Sequence, residues 1–460
     1  MSDDDLTSVE ITGPAVVLGS RYDVTGLATE AVARATLAAA DLLATRTGER
    51  RRAVRVDRIA ACAAFAGERL FQPIGWERPP IWDPIAGDYR AAKGWIRVHT
   101  NYSHHRAAAL RALRLPGDCG ERSEVAAAVS ARQADDLESA VVREGGAAAV
   151  LRSPASWSAT AAGRAASRQR LWVDPAPPVP VTIPAADRPL AGVRVLDLTR
   201  VIAGPVCTRF LAGYGAQVLR VDPPGFVEVP AVVPEVTPGK RCCTLDLRDS
   251  SDRARFAELV GQAHVIVAGL RPGSLQALGF GPDRLRALNP GLIVARLNAY
   301  GWDGPWAARR GFDSLVQMSC GIAYLDRHAA PSPLPVQALD HATGYLLAGA
   351  VCRALSALIR TGVPGDIRTS LVATANRLVS LTVSRSGSGS SRARAEPAGA
   401  GSAGAGSVWP EPVWPDEVFE TADTAWGRAR RVRVPGTIEG IEPSWSIDAG
   451  PLGRHEAAFD

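Results

Sequence analysis

The segment LAGVRVLDLTRVIAGP at residues 190–205 decides the fold class of this 460-residue chain. Its middle part, Val193–Leu198, is a short and mostly apolar run of the kind found in strands that are buried on both faces. Three further strands are predicted at residues 217–221, 264–268 and 292–297. Because helical stretches separate these strands, right-handed crossovers and a parallel sheet are expected. The prediction is therefore an α/β fold with a Rossmann-like parallel sheet.

The composition is that of a globular protein, since 46% of the residues are hydrophobic and 22% are charged. The net charge of +5 is modest and the Arg-rich stretches are interrupted by apolar residues, which argues against nucleic-acid binding. The seven cysteines include no CxxC pair, so neither a disulfide scaffold nor a zinc site is expected. The acidic start and the lack of a long uninterrupted apolar run predict a cytoplasmic protein without a membrane partner.

Two changes in composition divide the chain. Proline accumulates in residues 173–189, and Gly, Ser and Ala accumulate in residues 385–407, so both segments are predicted linkers. The remaining parts are a helical and small α+β domain at residues 1–172 and a large domain at residues 190–384. A carboxyl-terminal segment at residues 408–460 is expected to pack back on the large domain.

The two halves of the chain contain short motifs in a similar order, a weak internal similarity that we call the echo. In each half an aspartate precedes a glycine, a helix, an Arg-Thr-Gly triplet and a three-residue stretch with an arginine at its centre. The first copy comprises residues 23–26, 46–48 and 54–56, and the second comprises residues 340–344, 360–362 and 367–369. The spacings differ by several residues, so chance and duplication both remain open.

The turn after the first predicted strand indicates whether this parallel sheet could bind a nicotinamide cofactor, which is one common function of such sheets. A nicotinamide site needs a GxGxxG turn there, because the backbone must approach a pyrophosphate closely. Residues 199–205 contain one glycine, Gly204, and a proline follows it. The sequence therefore argues against a dehydrogenase.

The same stretch resembles the opening of the class III CoA-transferases, the CaiB–BaiF type. This family includes formyl-CoA:oxalate and carnitine CoA-transferases and the α-methylacyl-CoA racemases. The resemblance continues in register over residues 190–380, through VLRVDPPG (218–225), LRPG (270–273), LNP (288–290) and GFD (311–313). It implies a CoA-transferase whose substrates are an acyl-CoA and a carboxylic acid, with no metal or redox cofactor beyond the CoA thioester itself.

The family's nucleophile is an aspartate in an Asp-x-x-x-Gly motif, which corresponds to Asp340 and Gly344. A carboxylate can attack a thioester, and the resulting anhydride is labile enough to exchange with a thiolate. The nearby glycine is expected to let the thioester approach the backbone. Taken alone, an aspartate at this position would more often be a helix N-cap, which is a common role for aspartate. The flanking resemblance favours the nucleophile.

The resemblance also implies a coenzyme A site on the loops after the early strands. Cationic side chains and helix N-termini are suited to its phosphates. Gly269 departs from the family's usual asparagine, and Pro223 stands where a basic residue can occur. Either change is expected to weaken the nucleotide contacts or to shift them to Arg220 and Arg271. The implied CoA-binding residues are Ile202, Ala203, Arg220, Pro223, Leu245, Arg248, Gly269, Leu270, Arg271, Arg310, Phe312 and Asp313.

One position separates the transferases of this family from its racemases. Racemases use a histidine in a Gly-His-Asp triplet, and here Phe312 occupies that position and cannot move a proton. Transferase is therefore favoured over racemase, with His341 as the nearest substitute base. The cluster of His99, His104 and His105 is interpreted as a polar surface or domain contact and not as a metal site.

The amino-terminal third fits the family in an unusual order. Residues 88–98 and the helices after them resemble the family's smaller domain, which normally follows the large one. An interlocked homodimer is expected by resemblance only. Because the order is changed, a non-catalytic or partner-dependent subunit remains the alternative.

Overall fold

The described part of the chain contains one seven-stranded sheet and three three-stranded sheets. The computed structural model describes residues 3–326, 329–387 and 410–459. Its strands in chain order are β1 (Val9–Thr12), β2 (Val54–Asp57), β3 (Gln72–Pro73), β4 (Gly87–Arg90), β5 (Trp95–Val98), β6 (Ala148–Val150), β7 (Trp172–Pro175), β8 (Arg194–Leu198), β9 (Gln217–Asp222), β10 (Lys240–Thr244), β11 (Val265–Ala268), β12 (Ile293–Asn298), β13 (Gly365–Ser370), β14 (Phe419–Ala422), β15 (Ala429–Val432) and β16 (Thr437–Ile438).

Helices cover both faces of the large sheet and build most of the smaller units. In chain order they are α1 (Val24–Thr47), α2 (Arg58–Phe65), α3 (Gly67–Leu70), α4 (Ser103–Leu113), α5 (Arg122–Ser130), α6 (Ala134–Arg143), α7 (Pro154–Ser158), α8 (Ala161–Ala166), α9 (Ala203–Gly213), α10 (Val233–Val236), α11 (Ser250–Gln262), α12 (Ser274–Ala277), α13 (Pro282–Leu288), α14 (Asp313–Cys320), α15 (Ala338–Thr361) and α16 (Leu371–Gly387). Short 3-10 turns lie at Asp3–Ser8, Pro230–Val232 and Asp416–Val418.

The large sheet has the strand order β10-β9-β8-β11-β12-β13-β7. All neighbours are parallel except β7, which pairs antiparallel with β13 at one edge. The predicted Rossmann-like parallel sheet is confirmed, and its four predicted strands begin within one residue of the observed ones. Strands β10 and β13 were not predicted, because charged side chains such as Lys240 and Arg368 interrupt their apolar pattern.

The sheet lies between two helical layers with separate cores. One core joins the sheet to α9 and α15, and it includes Phe210 and Leu347. The other core joins the opposite face to α11 and α13, and it includes Phe256 and Leu285. This three-layer arrangement leaves the carboxyl ends of the parallel strands open, which is where ligands bind in such sheets.

The predicted second, smaller α+β domain is present as the sheet β4-β5-β6 with helices α4, α5 and α6. Its apolar core includes Ile96, Leu110 and Leu137, which are fully buried. It lies close to α14 of the large unit, and Arg152 donates its backbone N–H to the carbonyl of Met318. The smaller unit therefore borders the same end of the large sheet as α14.

The observed packing differs from the predicted boundary at residue 172. Helix α1 is buried in the core of the large unit, where it packs along α15. A Cβ atom added to Gly349 at the middle of α15 would lie 3.1 Å from the carbonyl oxygen of Arg34 at the middle of α1. The alanine-rich sequence of α1 allows this close helix contact, so residues near the amino terminus belong to the large core.

The echo between the two halves has a structural counterpart. Helices α1 and α15 have 24 residues each, and both end at a left-handed glycine, Gly48 with φ 73° and Gly362 with φ 71°. Their N-caps also agree, since Asp23 has φ −76° and ψ 66° while Gln337 has φ −74° and ψ 62°. The strands that follow, β2 and β13, each pair with one parallel and one antiparallel neighbour. These agreements favour duplication over chance.

The helix alignment corrects the residue correspondence expected from the sequence. When α1 and α15 are aligned cap to cap, Asp23 corresponds to Gln337, and Asp340 corresponds to Gly26. The motif in the sequence had placed Asp23 opposite Asp340. The first copy therefore has a glycine where the second copy has its aspartate.

The carboxyl-terminal segment contacts both halves. Strand β16 pairs with β2, and β15 pairs with β3. Near the end, the backbone N–H of Cys242 in β10 donates to Nδ1 of His455 at 2.9 Å. Most of the predicted linker at residues 385–407 lies outside the described residues, and residues 385–387 continue α16.

Helix α15 has the length and apolar composition of a membrane-spanning helix. The sequence was not expected to contain such a segment. Most of α15 is buried inside the protein, which is also the property of a core helix in a folded domain.

Candidate active site

A large cavity opens at the carboxyl ends of the parallel strands and has a volume of about 580 Å³. Cavities of this size are typical of sites for small molecules and cofactors. The loops after β8, β10, β11, β12 and β13 form one wall, and Tyr102, His104 and His105 at the start of α4 form the facing wall. The cavity therefore lies between the large sheet and the smaller unit.

Four arginines give this cavity a positive lining, namely Arg200, Arg248, Arg271 and Arg310. Within the described residues, no carboxylate oxygen lies within 4 Å of the guanidinium groups of Arg248, Arg271 or Arg310. Burial and then the neighbouring charge of Arg271 lower the pKa of Arg310. Uncompensated cations that repel one another are suited to a polyanionic ligand.

The first turn of α9 faces the same space. Ile202, Ala203 and Gly204 line the cavity at the amino end of this helix. The N–H groups of a first helical turn have no partner within the helix and carry a partial positive charge. Together with the arginines, they form a surface that fits the phosphates of a nucleotide.

Most of the residues implied to bind CoA line this cavity. They are Ile202, Ala203, Arg248, Gly269, Leu270, Arg271, Arg310 and Phe312, and Asp340 lines it with them. Leu245 instead belongs to the core beneath α11, and Pro223 is an exposed residue outside the cavity lining. Asp313 lies below the cavity and is almost fully buried. Arg200 was not singled out from the sequence, although it lies two residues after the end of β8.

Arg220 is a correction to the expected CoA site. Its side chain is fully buried and pairs with Asp222 at 2.8 Å and Glu228 at 3.1 Å. Glu228 in turn accepts hydrogen bonds from the hydroxyl of Tyr102 at 2.6 Å and the backbone N–H of Val201 at 3.0 Å. Arg220 therefore supports the residues of the cavity wall from below and does not reach the cavity, because its strand points it into the interior.

The loop that carries Val201 has an unusual backbone. Val201 has φ 62°, which is a strained value for a β-branched residue. The hydrogen bond to Glu228 holds the N–H of Val201 in this conformation, and the residue lines both the large cavity and a smaller one beside it. The strain thus occurs where the chain passes between two cavities.

A smaller chamber of about 90 Å³ adjoins the large cavity. Val201, Ile202, Phe312 and Asp340 line both spaces and form the boundary between them. Asp340 is 7% exposed, and its carboxylate accepts no hydrogen bond from any residue in the described ranges. An unpaired carboxylate thus lies at the junction of a cationic cavity and a small chamber.

Asp340 is the third residue of α15 and not its N-cap. Gln337 occupies the cap position and makes no side-chain cap hydrogen bond. The backbone N–H groups of Leu339 and Asp340 donate instead to Oδ2 of Asp313, at 2.7 and 2.9 Å. Asp313 thus does the capping, and the carboxylate of Asp340 is left free for another role.

Burial disfavours the ionised forms of Asp340 and Asp313. Burial raises the pKa of Asp340 well above its usual value, and the charges of Asp313 and Glu68 raise it further. Burial also raises the pKa of Asp313 to about 6, against the stabilising hydrogen bonds that its carboxylate accepts. Three carboxyl groups thus compete for protons in one buried region, which is a frequent property of functional sites.

Glu68 reaches this region from the amino-terminal half. Its Oε2 lies 2.9 Å from Nε2 of His341, and the ring of His341 stacks on Phe65 with 5.4 Å between ring centres. Burial opposes ionisation of Glu68, but its pKa is lowered overall because His341 stabilises the charge. The sequence did not indicate Glu68, since no motif connects two residues so far apart in the chain.

Gly344 has a packing role that differs from the expected one. A Cβ atom at this position would lie 2.5 Å from the carbonyl oxygen of Ala203 and 2.7 Å from Cβ of Val206. Glycine therefore lets the first turns of α15 approach α9 closely. The Asp-x-x-x-Gly spacing brings Asp340 to the amino end of α9, where the two helices meet.

A buried ion pair supports the loop after β8. Nζ of Lys240 lies 2.9 Å from Oδ2 of Asp197, and both side chains are fully buried. The other oxygen of Asp197 accepts the backbone N–H of Thr199 at 2.9 Å, and Lys240 also donates to the carbonyl of Pro205 at 3.2 Å. Both ends of residues 199–205 are thus attached to one charge pair.

The three histidines singled out from the sequence do not converge on one point. The ring of His99 stacks on Phe312 with 3.7 Å between ring centres, and His99 lines the small chamber. His104 and His105 line the large cavity, with 4.1 Å between their ring centres. Burial and then the nearby arginines Arg310, Arg200 and Arg271 lower the pKa of His104.

Comparison with known proteins gives one matching family and several relatives. The model of CoA-transferase family III matches residues 190–426. A probable fatty acyl-CoA transferase of Mycobacterium tuberculosis is 36% identical over 208 residues, which cover 42% of this chain and 52% of the relative. The acetyl-CoA:oxalate CoA-transferase of Acetobacter aceti is 33% identical over 205 residues, which cover 41% and 53%. The chain thus spans about half the length of these curated relatives.

Solved structures give a similar partial match. A crystal structure of a hypothetical protein from Mycobacterium tuberculosis is 34% identical, with a TM-score of 0.40, and the match covers 43% of this chain and 59% of that one. A CAIB/BAIF family protein from Brucella suis is 25% identical, also with a TM-score of 0.40, over 53% and 65% of the two chains.

Proposed function

Because this chain belongs to CoA-transferase family III, we propose that it moves coenzyme A from an acyl-CoA to a carboxylic acid with Asp340 as the nucleophile. The observation that carries the proposal is the position of Asp340. Its unpaired carboxylate lies between a large cavity lined by four arginines and a small, mostly apolar chamber. The cavity suits the phosphates of CoA, and the chamber suits an acyl group.

The proposed reaction proceeds through covalent intermediates on Asp340. A carboxylate oxygen attacks the thioester carbon, the C–S bond breaks, the CoA thiolate leaves with the electron pair, and an aspartyl anhydride forms. The thiolate then attacks the aspartyl carbonyl carbon, which releases the donor carboxylate and gives an aspartyl-CoA thioester. The acceptor carboxylate displaces the thiolate to form a second anhydride. Attack of the thiolate on the acceptor's acyl carbon yields the new acyl-CoA and frees Asp340.

The surroundings of Asp340 support each stage of this sequence. The first turn of α9 begins at Ala203, which lines the cavity beside Asp340, and its N–H groups can stabilise a developing oxyanion. Arg271 and Arg310 can hold the phosphates of CoA while the thiolate departs and returns. No step of this scheme takes up or releases a proton, and none changes an oxidation state. The reaction therefore requires the CoA thioester as substrate and neither a metal nor a redox cofactor.

A covalent adduct is the direct test. The protein is incubated with acetyl-, butyryl- and succinyl-CoA, and its intact mass is measured before and after treatment with hydroxylamine. We expect a hydroxylamine-sensitive adduct with at least one ester. Asp340→Asn keeps the shape of the side chain without its anionic oxygen, so it should form no adduct and still bind CoA in a calorimetric titration.

Two outcomes would contradict the proposal in different ways. An Asp340→Asn protein that transfers CoA at nearly the wild-type rate would end the assignment of the nucleophile. A wild-type protein that forms no adduct with any ester would favour the alternative of a non-catalytic or partner-dependent subunit. The interlocked homodimer implied by resemblance remains a prediction, and the mass of the protein in solution tests it.

Transferase activity is favoured over racemisation because Phe312 lies beside Asp340 at the boundary of the two cavities. A phenyl ring cannot accept the α-proton of an acyl group. Incubation of 2-methylacyl-CoA in deuterated water should therefore leave the α-position without deuterium, as measured by mass spectrometry. Enzyme-dependent incorporation would instead show that this assignment is wrong and would bring His341 into consideration as a base.

A further inference from the structure

Within the described ranges, two buried side chains with an unpartnered polar atom line the small chamber beside Asp340, namely His99 and Ser314, and the proposed reaction uses neither. His99 lines the chamber and is 4% exposed, and its Nδ1 has no hydrogen-bond partner among the described residues. The ring lies parallel to Phe312 and meets Trp82 edge to face. A buried imidazole nitrogen without a hydrogen-bond partner lowers the stability of the fold. Its presence here therefore points to a ligand that supplies the missing polar group.

The protonation state of His99 limits what that group can be. Burial lowers the pKa of His99 to about 3, so the ring is neutral near pH 7. A neutral imidazole has one N–H donor and one acceptor nitrogen. A hydroxyl group can donate and accept, and it therefore satisfies either nitrogen without requiring a charge.

The charges around the chamber exclude another class of acyl group. Glu68 and Asp313 line it together with Asp340. The cation in its lining is Arg69, whose side chain is 48% exposed and whose guanidinium donates to the carbonyl of Pro335 at 2.6 Å. A second carboxylate on the acyl group would thus meet two buried acidic residues at close range and is disfavoured.

The size of the chamber sets the length of the acyl group. Its volume is about 90 Å³, and its apolar walls include Ile81, Trp82, Val229, Val232 and Val336. This volume is less than one sixth of the volume of the large cavity, about 580 Å³, so the chamber takes only a small group. This corresponds to the carbon chain of a short acyl group.

From these contacts we infer that the chamber is an acyl subsite that selects short, uncharged acyl groups bearing a hydroxyl that hydrogen-bonds to His99. The inference rests on the proposed function, since it assumes that Asp340 attacks the thioester. Sites built to hydrogen-bond a hydroxyl discriminate strongly against the analogue without it, because a buried polar group is then left unpaired.

The test compares second-order rates of adduct formation from matched CoA esters. The panel is 3-hydroxybutyryl-, 2-hydroxybutyryl-, butyryl-, octanoyl- and succinyl-CoA. We expect one hydroxybutyryl ester to react at least tenfold faster than butyryl-CoA, and octanoyl- and succinyl-CoA to react at least tenfold more slowly than butyryl-CoA. A tenfold ratio of rates corresponds to about 1.4 kcal/mol, and one missing hydrogen bond between the acyl group and the chamber accounts for a difference of this size.

Variants assign the preference to particular residues. His99→Phe keeps a ring stacked on Phe312 but removes both nitrogens, so the ratio of hydroxybutyryl to butyryl rates should fall to about one. His264→Phe is the matched control, because His264 lies outside the lining of both cavities and this ratio should persist. Trp82→Ala removes a chamber wall and should raise the rate with octanoyl-CoA relative to butyryl-CoA by at least tenfold. Should His99→Phe fold poorly, His99→Asn keeps a polar group and should give an intermediate ratio.

The outcomes separate this inference from the proposal on which it rests. Equal rates with butyryl- and both hydroxybutyryl esters, or an undiminished ratio in His99→Phe, would overturn the acyl-subsite inference and leave transferase activity intact. Adducts from octanoyl-CoA at the butyryl rate in the wild type would overturn the size limit. The absence of an adduct from every ester would overturn both the inference and the proposed function.

Discussion

Oδ2 of Asp313 lies 2.9 Å from the backbone nitrogen of Asp340 and accepts its hydrogen bond. A carboxylate from α14 thus caps the helix that carries the proposed nucleophile. The hydrogen bond fixes the start of α15, but the charge of Asp313 opposes ionisation of Asp340. Position and acidity of the nucleophile are therefore controlled by the same neighbouring side chain.

The rate of adduct formation should rise with pH. The attacking species is the carboxylate, and burial with the charges of Asp313 and Glu68 raises the pKa of Asp340. The rate should therefore be low at pH 5 and increase as pH passes through the raised pKa, as measured by intact mass under single-turnover conditions. Glu68→Gln removes one of the charges and should move this rise to lower pH, whereas Glu49→Gln on the surface should not. A rate independent of pH from 5 to 8 would contradict the assignment.

Asp340→Asn should stabilise the protein at neutral pH. Because the pKa of Asp340 is raised in the folded state, its contribution to stability is fully present below the unfolded pKa and is lost as pH rises through the folded pKa. Asparagine carries no charge to desolvate, so the Tm at pH 8 should rise by about 1 to 3 °C, and the gain should shrink at pH 5. An equal or lower Tm at pH 8 would indicate that the carboxylate is well solvated.

Neutralising an arginine of the large cavity should weaken CoA binding. Arg271→Gln or Arg310→Gln removes one uncompensated charge, and we expect an increase in Kd of about tenfold with a smaller dependence on salt. Calorimetric titration at two salt concentrations measures both effects. Arg284→Gln on α13, an exposed position outside the cavity lining, is the matched control. Equal loss in the control would show that net charge, and not the cavity, attracts CoA.

Breaking the buried pair of Lys240 and Asp197 should destabilise the fold strongly. Lys240→Met leaves Asp197 buried and unpaired, which costs about 3 to 5 kcal/mol in free energy of unfolding. Denaturant unfolding measures this loss. The double change Lys240→Met with Asp197→Asn should recover part of it, because no isolated charge then remains. A loss below about 1 kcal/mol in the single variant would mean that water reaches this pair.

The first copy of the repeat should be structural and not catalytic. Asp23 caps α1 through a hydrogen bond from the backbone N–H of Gly26 to its carboxylate at 2.9 Å. Asn is an equally good cap, so Asp23→Asn should leave stability and adduct formation unchanged, whereas Asp23→Ala should cost about 1 kcal/mol of stability. Each wild-type chain should carry at most one acyl adduct by intact mass. Two adducts per chain would contradict this assignment.

The sequence predicted the features that depend on local pattern. The apolar runs that form β8, β9, β11 and β12 are recognisable because a strand buried on both faces excludes polar residues. The loops after these strands carried the residues that line the cavity, such as Ala203 and Arg271. A parallel sheet brings these loops together whatever their separation in sequence.

Features that depend on distant contacts could not be predicted in the same way. Arg220 is buried against Glu228, whose carboxylate also accepts a hydrogen bond from Tyr102, more than one hundred positions away in the sequence. The ring of His99 stacks on Phe312, which is more than two hundred positions away in the sequence. The correspondence of Asp340 with Gly26 could be recognised only from the observed ends of α1 and α15, because the aspartate-glycine motif alone had aligned Asp340 with Asp23.

The contact between α1 and α15 has a consequence for synthesis of the chain. Nearly all of α1 is buried, yet α15 begins about 300 residues later, so the ribosome releases an apolar helix long before its partner exists. At a translation rate of 5 to 20 residues per second, this interval lasts roughly 15 to 60 seconds. During that time α1 is exposed to aggregation and to chaperones, and the pocket around Asp340 cannot form on a product that ends before α15. Premature termination before α15 would thus release an aggregation-prone chain and not a partly active enzyme.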